Sequence, residues 1–122
     1  NSGKSISNVR KAKKSQNTYL IILQKTQIDT LTLAKKIWEQ SEISKDQIIA
    51  AESSYEASST AYEGTVIEQK VGERTVLDVL NAQQTLLNSE IELINQRKNK
   101  EIIKSQVFYL MGDLTIENMR SL

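Results

Sequence analysis

The stretch Lys70-Val71-Gly72-Glu73-Arg74-Thr75 decides the fold of this chain, because it separates two long segments with helical apolar spacing. Gly72 can adopt the left-handed conformation that ends a helix. Thr75 is suited to cap the next helix, and Asp78 places negative charge in the first turn of that helix. The stretch therefore predicts a helix end, a tight bend at residues 72–75 and a new helix.

The segment before the bend is predicted to form one long helix over about residues 4–71. The chain contains no Pro, and an isolated Gly such as Gly64 costs only about 1 kcal/mol inside a helix. Ile48, Tyr55 and Tyr62 follow one another at the seven-residue step of a coiled coil. A helix of this length without internal caps indicates a coiled coil, a rod or a helical tube.

The segment after the bend is predicted to form a returning helix over about residues 76–111. Lys100 and Glu101 fall where apolar residues are due, which resembles a stutter in the heptad pattern. Met111-Gly112-Asp113 is predicted to end the helix, and residues 114–121 to form a short further helix. The apolar pattern of the returning helix covers three heptads: Val79, Leu80, Leu86, Leu87, Leu93 and Ile94.

Two helices joined by so short a connection are antiparallel neighbours. The sequence therefore predicts an all-α fold, a long antiparallel coiled-coil hairpin, as a single domain over residues 1–122. The returning helix is shorter than the first, so the segment from Lys4 to about Thr30 needs a partner that the chain does not contain. Tyr19 and Trp38 are predicted to face a neighbouring helix. Small residues before the bend allow either a tight two-helix seam or neighbours on both sides: Ala50, Ala51, Ser53, Ser54, Ala57, Ser58, Ser59 and Ala61.

Composition excludes several classes of protein and leaves others open. Hydrophobic residues make up 39% and aromatic residues 5%, which favours a thin, extended core. The longest apolar run, Tyr19–Leu23, is far shorter than the roughly 20 residues of a membrane span. The chain begins at Asn1 without a signal peptide, so we expect it to be a segment of a longer protein.

The formal net charge of +1 gives no sign of a polyanionic partner, and no nucleic acid is expected. One basic cluster is interpreted as a solvated helix face, with lipid headgroups or nucleic acid as the alternatives. It comprises Lys4, Arg10, Lys11, Lys13 and Lys14.

No catalytic chemistry is expected from this sequence. It has no His and no Cys, and therefore neither a disulfide nor a thiolate metal site. It also lacks a Gly-rich phosphate loop and a Gly-x-Ser-x-Gly elbow. Its carboxylates are spread along solvated faces, and a thin hairpin offers no pocket that excludes water. We expect no enzyme activity and no cofactor.

The run from Gly64 through Gly72 to Gln83 resembles the helix-turn-helix tip of the TolC family of outer-membrane efflux proteins. The shared features are Gly72, the Arg74-Thr75 pair and the run Leu77-Asp78-Val79-Leu80-Asn81-Ala82. Weaker similarity at Asn1-Ser2-Gly3, with Val9–Ala12, corresponds to the point where an outer-membrane strand enters the long helix. Tyr109–Leu114 is similar to the exit from the returning helix, although Met111 separates Leu110 from Gly112. The resemblance covers nearly the whole chain.

This resemblance implies a segment of the α-barrel of a passive export duct. Three protomers would form the duct in the outer membrane of a Gram-negative bacterium, with this segment in the periplasm. The tip would dock a periplasmic adaptor protein linked to an inner-membrane RND or ABC transporter. Drugs, toxins or proteins would be exported, as in multidrug efflux or type I secretion. The alternative is a coiled-coil interaction module, an adaptor hairpin or a scaffold, without channel function.

The resemblance also implies the site residues. Arg74, Asp78 and Asn81 would form the pore constriction, where Asn81 stands at a position that is often acidic in the family. Arg74 and Asp78 would either form a local salt bridge or act as a latch between hairpins. Three Asp78 carboxylates converging in a trimer would favour cations. The adaptor-docking tip would comprise Gly72, Glu73, Arg74, Thr75, Val76 and Leu77.

Overall fold

The computed structural model describes residues 2–120 and consists of two α-helices. Helix α1 spans Ser2–Lys70 and helix α2 spans Val76–Arg120. Residues 2–120 contain no strand, which confirms the all-α prediction. Asn1 and the last position of the predicted 114–121 helix lie outside the described residues. None of the described helices is long and apolar enough to cross a membrane.

The chain divides into two compact units, Asn1–Lys36 and Ile37–Leu122. The first unit consists of the N-terminal part of α1, in which every residue from 2 to 29 is exposed. Its large apolar side chains are therefore exposed too, with Leu31 at 70% exposure. Such a pattern is expected of a helical segment whose packing partner is not part of the chain.

The second unit is an antiparallel hairpin that contains the rest of α1, the bend and α2. Side chains at alternating steps of three and four residues are turned away from solvent on both helices, which is the spacing of a coiled-coil seam. In α1 the seam comprises Ile37, Ser41, Ser44, Ile48, Ala51, Tyr55, Ser58 and Tyr62. In α2 it comprises Val79, Ala82, Leu86, Ser89, Leu93, Gln96, Ile103, Val107 and Leu110.

The seam is thin and partly polar. The fully buried side chain is Ser44, at 1% exposure, and its hydroxyl has no hydrogen-bond partner. The buried Oε1 of Gln96 also lacks one, whereas the Ser89 hydroxyl donates to the Leu86 carbonyl at 2.8 Å. Each unpaired buried polar group costs about 1–3 kcal/mol. The hairpin is therefore held by few apolar contacts.

The heptad prediction for α2 is half right. Val79, Leu86 and Leu93 lie in the seam, but the apolar residue after each of them is exposed instead. The predicted stutter is wrong, because the register is kept: Gln96 and Ile103 lie one full heptad apart, and the position between them, Lys100, is exposed. Polar residues stand at the heptad positions between Leu93 and Ile103. The apolar pattern is therefore interrupted, but the register of the helix is not.

Two further predictions are corrected. Trp38 is 65% exposed, and the seam residue at its level is Ile37; for Tyr19, 63% exposed in the unit without a partner in this chain, contact with a neighbouring helix stays a prediction. Helix α2 does not end at Met111-Gly112-Asp113 but continues to Arg120, so no separate short helix follows. The Thr115 hydroxyl donates to the Met111 carbonyl at 2.9 Å across this point. An isolated Gly costs only about 1 kcal/mol, which is too little to end a helix of this length.

Candidate docking site at the hairpin bend

The bend begins with a glycine-terminated helix end. Gly72 has a φ of 82°, the left-handed conformation that its missing side chain allows. The Glu73 N–H donates to the Glu68 carbonyl at 2.8 Å, and the Gly72 N–H donates to the Gln69 carbonyl at 3.1 Å. These two hydrogen bonds define a Schellman motif, which satisfies the last carbonyls of α1. The predicted role of Gly72 as a helix terminator is confirmed.

The start of α2 is closed by a reciprocal cap. The Asp78 N–H donates to the Thr75 hydroxyl at 3.1 Å, and the Thr75 N–H donates to the Asp78 carboxylate at 2.9 Å. This is the geometry of a capping box, with Asp in place of the usual Glu. The predicted N-cap at Thr75 is confirmed. Only three residues, Glu73 to Thr75, lie between Gly72 and α2, so both caps shape one continuous bend.

The capping hydrogen bonds also set the charge state of Asp78. Its pKa lies below the ordinary value of 3.8, first because the Thr75 backbone N–H donates to the carboxylate. The Thr75 hydroxyl lowers the pKa further, and the nearby Arg74 charge makes a smaller contribution. Asp78 is therefore anionic at neutral pH and already engaged in holding the bend.

The sequence predicts that Arg74 pairs with Asp78, but in the structure Arg74 pairs with Glu68. The Arg74 Nε donates to the Glu68 carboxylate at 2.7 Å, between side chains that are 54% and 42% exposed. The hydrogen bond that Arg74 donates to Glu68 is the main cause of a raised pKa for Arg74. Sequence reasoning missed Glu68 because residues six apart are not neighbours on a helix; only the chain reversal brings them together.

Large apolar side chains surround the bend and are exposed. Val71, Val76, Leu77 and Leu80 have exposures of 67%, 62%, 65% and 55%. Within unit 2 these side chains contribute little to the seam, and Val76 and Leu77 are not packed inside the hairpin. The bend thus combines an apolar surface with an ion pair at Arg74.

The hairpin has two broad faces of different character. On one face Arg97 of α2 pairs with Glu52 of α1 at 3.5 Å, and each of these residues directly follows a seam residue. The opposite face holds a groove lined by four uncharged amides and by Ile43, Ile102 and Ile103. Each amide directly precedes a heptad position of the seam, which in one case is the exposed Lys100: Gln40, Gln47, Asn99 and Gln106. We call these two faces the charged face and the amide face. Asp78 directly precedes the seam residue Val79, and Glu68 directly precedes Gln69, which lies one heptad beyond Tyr62, so both acidic residues belong to the amide face.

The structure places the predicted site residues on one continuous surface. Residues 72–77 form the bend and the first turn of α2, and all of them are exposed. Asp78 is half-buried by its capping contacts, and Asn81 is exposed one turn further along α2. Arg74 and Asp78 are close in space but are held by separate hydrogen bonds.

Comparisons with known proteins agree with the resemblance seen in the sequence. The family model described as "Outer membrane efflux protein" matches residues 1–113. The chain is 26% identical over 117 residues to the outer membrane efflux protein BepC of Brucella suis biovar 1 (strain 1330). That match covers 96% of this chain but 26% of BepC, so the chain spans about a quarter of the length of this relative. No solved structure gives a significant match.

Proposed function

Because the chain belongs to the outer membrane efflux protein family, we propose that its hairpin is one wall element of an export duct and that its bend docks a periplasmic adaptor protein. The family is one of transport channels, and its members act at the outer membrane. The single observation that carries the finer proposal is a second row of exposed side chains on each helix of the hairpin. These rows provide contacts for neighbouring helices.

On α2 the second row consists of large aliphatic residues. Its members follow the same alternating steps of three and four residues as the seam, with Gln84 as the one polar member among the first six positions. Solvent exposure of the aliphatic members ranges from 45% to 65%. Exposed apolar rows of this kind mark sites of association. We call this the leucine row: Leu77, Leu80, Leu87, Ile91 and Ile94.

On α1 the second row consists mainly of small residues. They too alternate by steps of three and four, and Gly64 and two alanines leave the helix backbone open to close approach. A cluster of small residues near the bend is thus divided between the seam and an outer surface, which favours neighbours on both sides. We call this the small row: Ala50, Ser53, Ala57, Thr60 and Gly64.

The two rows are complementary in size and in height above the bend. Glu52 lies level with Arg97 in the hairpin, so Leu87 to Ile94 lie at about the height of residues 55–62. When two such hairpins stand side by side with their bends level, large side chains of one face small side chains of the next. Each outer row lies about 150° around its helix from the seam, at 100° per residue. That angle suits a closed ring of helices better than a flat sheet.

A ring built in this way would have one broad face of each hairpin inside. We propose that the amide face lines the duct, because most of its polar side chains are uncharged; of its acidic groups, Glu68 and Asp78 lie near the bend and Glu92 lies further along α2. Asp78 and the pair of Glu68 with Arg74 would then lie at the periplasmic mouth. Three copies of Asp78 would form an acidic constriction attracting cations. Asn81 would contribute a polar amide beside it.

The exposed bend is the natural docking surface for the adaptor. It combines aliphatic side chains at Val71, Val76 and Leu77 with a cationic group at Arg74. A contact confined to so few residues is small, so useful affinity would come from several bends engaging one adaptor ring. The adaptor would in turn connect the duct to an RND or ABC transporter of the inner membrane.

The docking proposal is tested by capture of candidate adaptors on the complete protein. Arg74→Glu should lower adaptor recovery severalfold, because it reverses the charge at the bend. Lys104→Glu is the matched control, since it makes the same charge reversal at an exposed site on the charged face of α2 and should leave recovery unchanged. Equal recovery with both variants would reject a docking role for the bend.

The wall proposal has its own test. Ile91→Lys places a charge in the leucine row and should reduce the amount of assembled oligomer seen by native electrophoresis. Gln83→Lys makes the same charge change on the charged face and should not. If both variants assembled as well as the unaltered protein, the outer rows would not be contacts. A coiled-coil module without channel function would then be favoured.

A further inference from the structure

The two units of the chain carry opposite charge, which the overall net charge of +1 conceals. Asn1–Lys36 has eight basic residues and one acidic residue, Asp29, and hence a formal charge of +7. Ile37–Leu122 has eight basic and fourteen acidic residues, and hence a formal charge of −6. The N-terminal unit is therefore strongly basic for its length.

None of this positive charge is neutralised within the described part of the chain. The three ion pairs among residues 2–120 all lie in the second unit. The basic side chains of the first unit are exposed and repel one another. Five of them fall within about 80° around the helix axis, at 100° per residue. We call this the basic face: Lys4, Lys11, Lys14, Lys25 and Lys36.

Apolar side chains lie directly beside these cations. One shallow groove is lined by Ile6 and Val9 together with Arg10 and Lys13. A second is lined by Lys11 and Lys14 together with Tyr19 and Ile22. Lys and Arg stems can lie along apolar groups while their charges reach an anionic surface.

We propose that the N-terminal part of α1 binds the anionic headgroups of a phospholipid membrane surface. Exposed cations that alternate with aliphatic and aromatic groups fit the boundary between headgroups and acyl chains. The chain belongs to a family of outer-membrane proteins, so such a surface is within reach of its members. This interaction is separate from the role proposed for the bend, which lies in the other unit.

Two other polyanions are less well matched to these residues. Single-stranded nucleic acid is bound by rows of stacking aromatics, and residues 2–36 contain one aromatic, Tyr19. The acidic hairpin of a second copy offers negative charge, but its carboxylates alternate with lysines and arginines along the charged face. A membrane surface provides both the phosphates and the apolar layer that the first unit requires.

The proposal is tested by co-sedimentation of the 122-residue chain with lipid vesicles. The vesicles contain either phosphatidylcholine alone or phosphatidylcholine mixed with phosphatidylglycerol. A triple variant with Lys11, Lys14 and Lys25 of the basic face changed to Gln is compared with one carrying the same changes at Lys98, Lys100 and Lys104. Both variants lose three positive charges from exposed positions in helices, and circular dichroism checks that both keep their helical content.

We expect binding to the anionic vesicles only, weakened by salt. The N-terminal triple variant should bind roughly a hundredfold more weakly, since each lysine near an anionic surface contributes about fivefold. The control variant should bind like the unaltered chain. Equal losses in both variants, or no binding at all, would overturn the proposal. Salt-sensitive self-association without vesicle binding would also overturn the proposal and would assign the basic face to a second copy. Tighter binding to nucleic acid than to vesicles would overturn it as well. None of these outcomes bears on adaptor capture.

Discussion

Arg74 and Glu68 are joined across the bend by an ion pair of 2.7 Å between Nε and Oε2. This pair leaves the Asp78 carboxylate free to cap α2 through Thr75. The single pair that the sequence predicts, Arg74 with Asp78, is thus replaced by two pairs, Arg74 with Glu68 and Asp78 with Thr75. One closes the end of α1 and presents the guanidinium, and the other closes the start of α2.

Neutralising Glu68 should make Arg74 more available to a partner. In Glu68→Gln the guanidinium loses the carboxylate that competes for its N–H groups, and the pKa of Arg74 falls back toward its ordinary value. We expect adaptor capture by the complete protein to rise above that of the unaltered protein. Capture as weak as that of Arg74→Glu would show instead that the pair itself is recognised.

Gly72→Ala should destabilise the hairpin without any steric clash. An added Cβ meets no atom within 4 Å, but φ is 82° and an L-residue is strained there. The expected loss is about 1 kcal/mol in the free energy of unfolding, measured by urea denaturation. Gly112→Ala is the control: this residue lies inside α2 with equally open space. Gly112→Ala should raise the free energy of unfolding by about 0.5–1 kcal/mol through helix propensity. If both variants changed the free energy of unfolding in the same direction, the left-handed role assigned to Gly72 would be contradicted.

Thr75→Ala should remove the N-cap of α2. The Thr75 hydroxyl accepts the Asp78 N–H, and loss of such a cap costs about 1 kcal/mol of stability. Thr60→Ala makes the same change at an exposed site inside α1 and should be neutral or slightly stabilising. Urea denaturation of both variants gives the comparison. A Thr75→Ala protein as stable as Thr60→Ala would show that the cap contributes nothing.

Asp78 should make part of the stability depend on pH in the acid range. Its folded pKa lies below 3.8, so folding favours the ionised form. That contribution is complete above the unfolded pKa and is lost as the pH falls through the lowered folded pKa. Asp78→Asn keeps an acceptor oxygen but cannot ionise. Asp78→Asn should have a lower free energy of unfolding than the unaltered protein at neutral pH, and this difference should shrink below about pH 3.8. A difference that stayed constant with pH would rule out the linkage between Asp78 ionisation and folding.

Seam and outer-row leucines should respond oppositely in two assays. Leu93 is 6% exposed in the seam, so Leu93→Ala should lower the free energy of unfolding by about 2–3 kcal/mol. Leu87 is 45% exposed, and Leu87→Ala should cost less than about 0.5 kcal/mol in the 122-residue chain. In the complete protein Leu87→Ala should still weaken oligomer assembly. Similar unfolding losses in both variants would mean that Leu87 packs within its own hairpin.

Much of the hairpin could be predicted from local chemistry alone. Gly72 and Thr75 determine where one helix ends and the next begins, through backbone conformation and capping that involve only a few adjacent residues. The absence of Pro and the seven-residue steps from Ile48 to Tyr62 were sufficient to predict the long helix. The end predicted at Gly112 failed because one glycine opposes the cooperativity of a whole helix.

Other features required two helices to be placed side by side. Leu86 and Leu87 are chemically equivalent in the sequence, and only the register of α2 against α1 puts one in the seam and the other on an outer row. The contact between Arg74 and Glu68 likewise exists only because the chain reverses direction. Local composition determines whether a segment is helical and where it stops. The buried side of a helix and the partners of its ion pairs depend on distances between residues that are remote in sequence. Only the tertiary structure sets these distances.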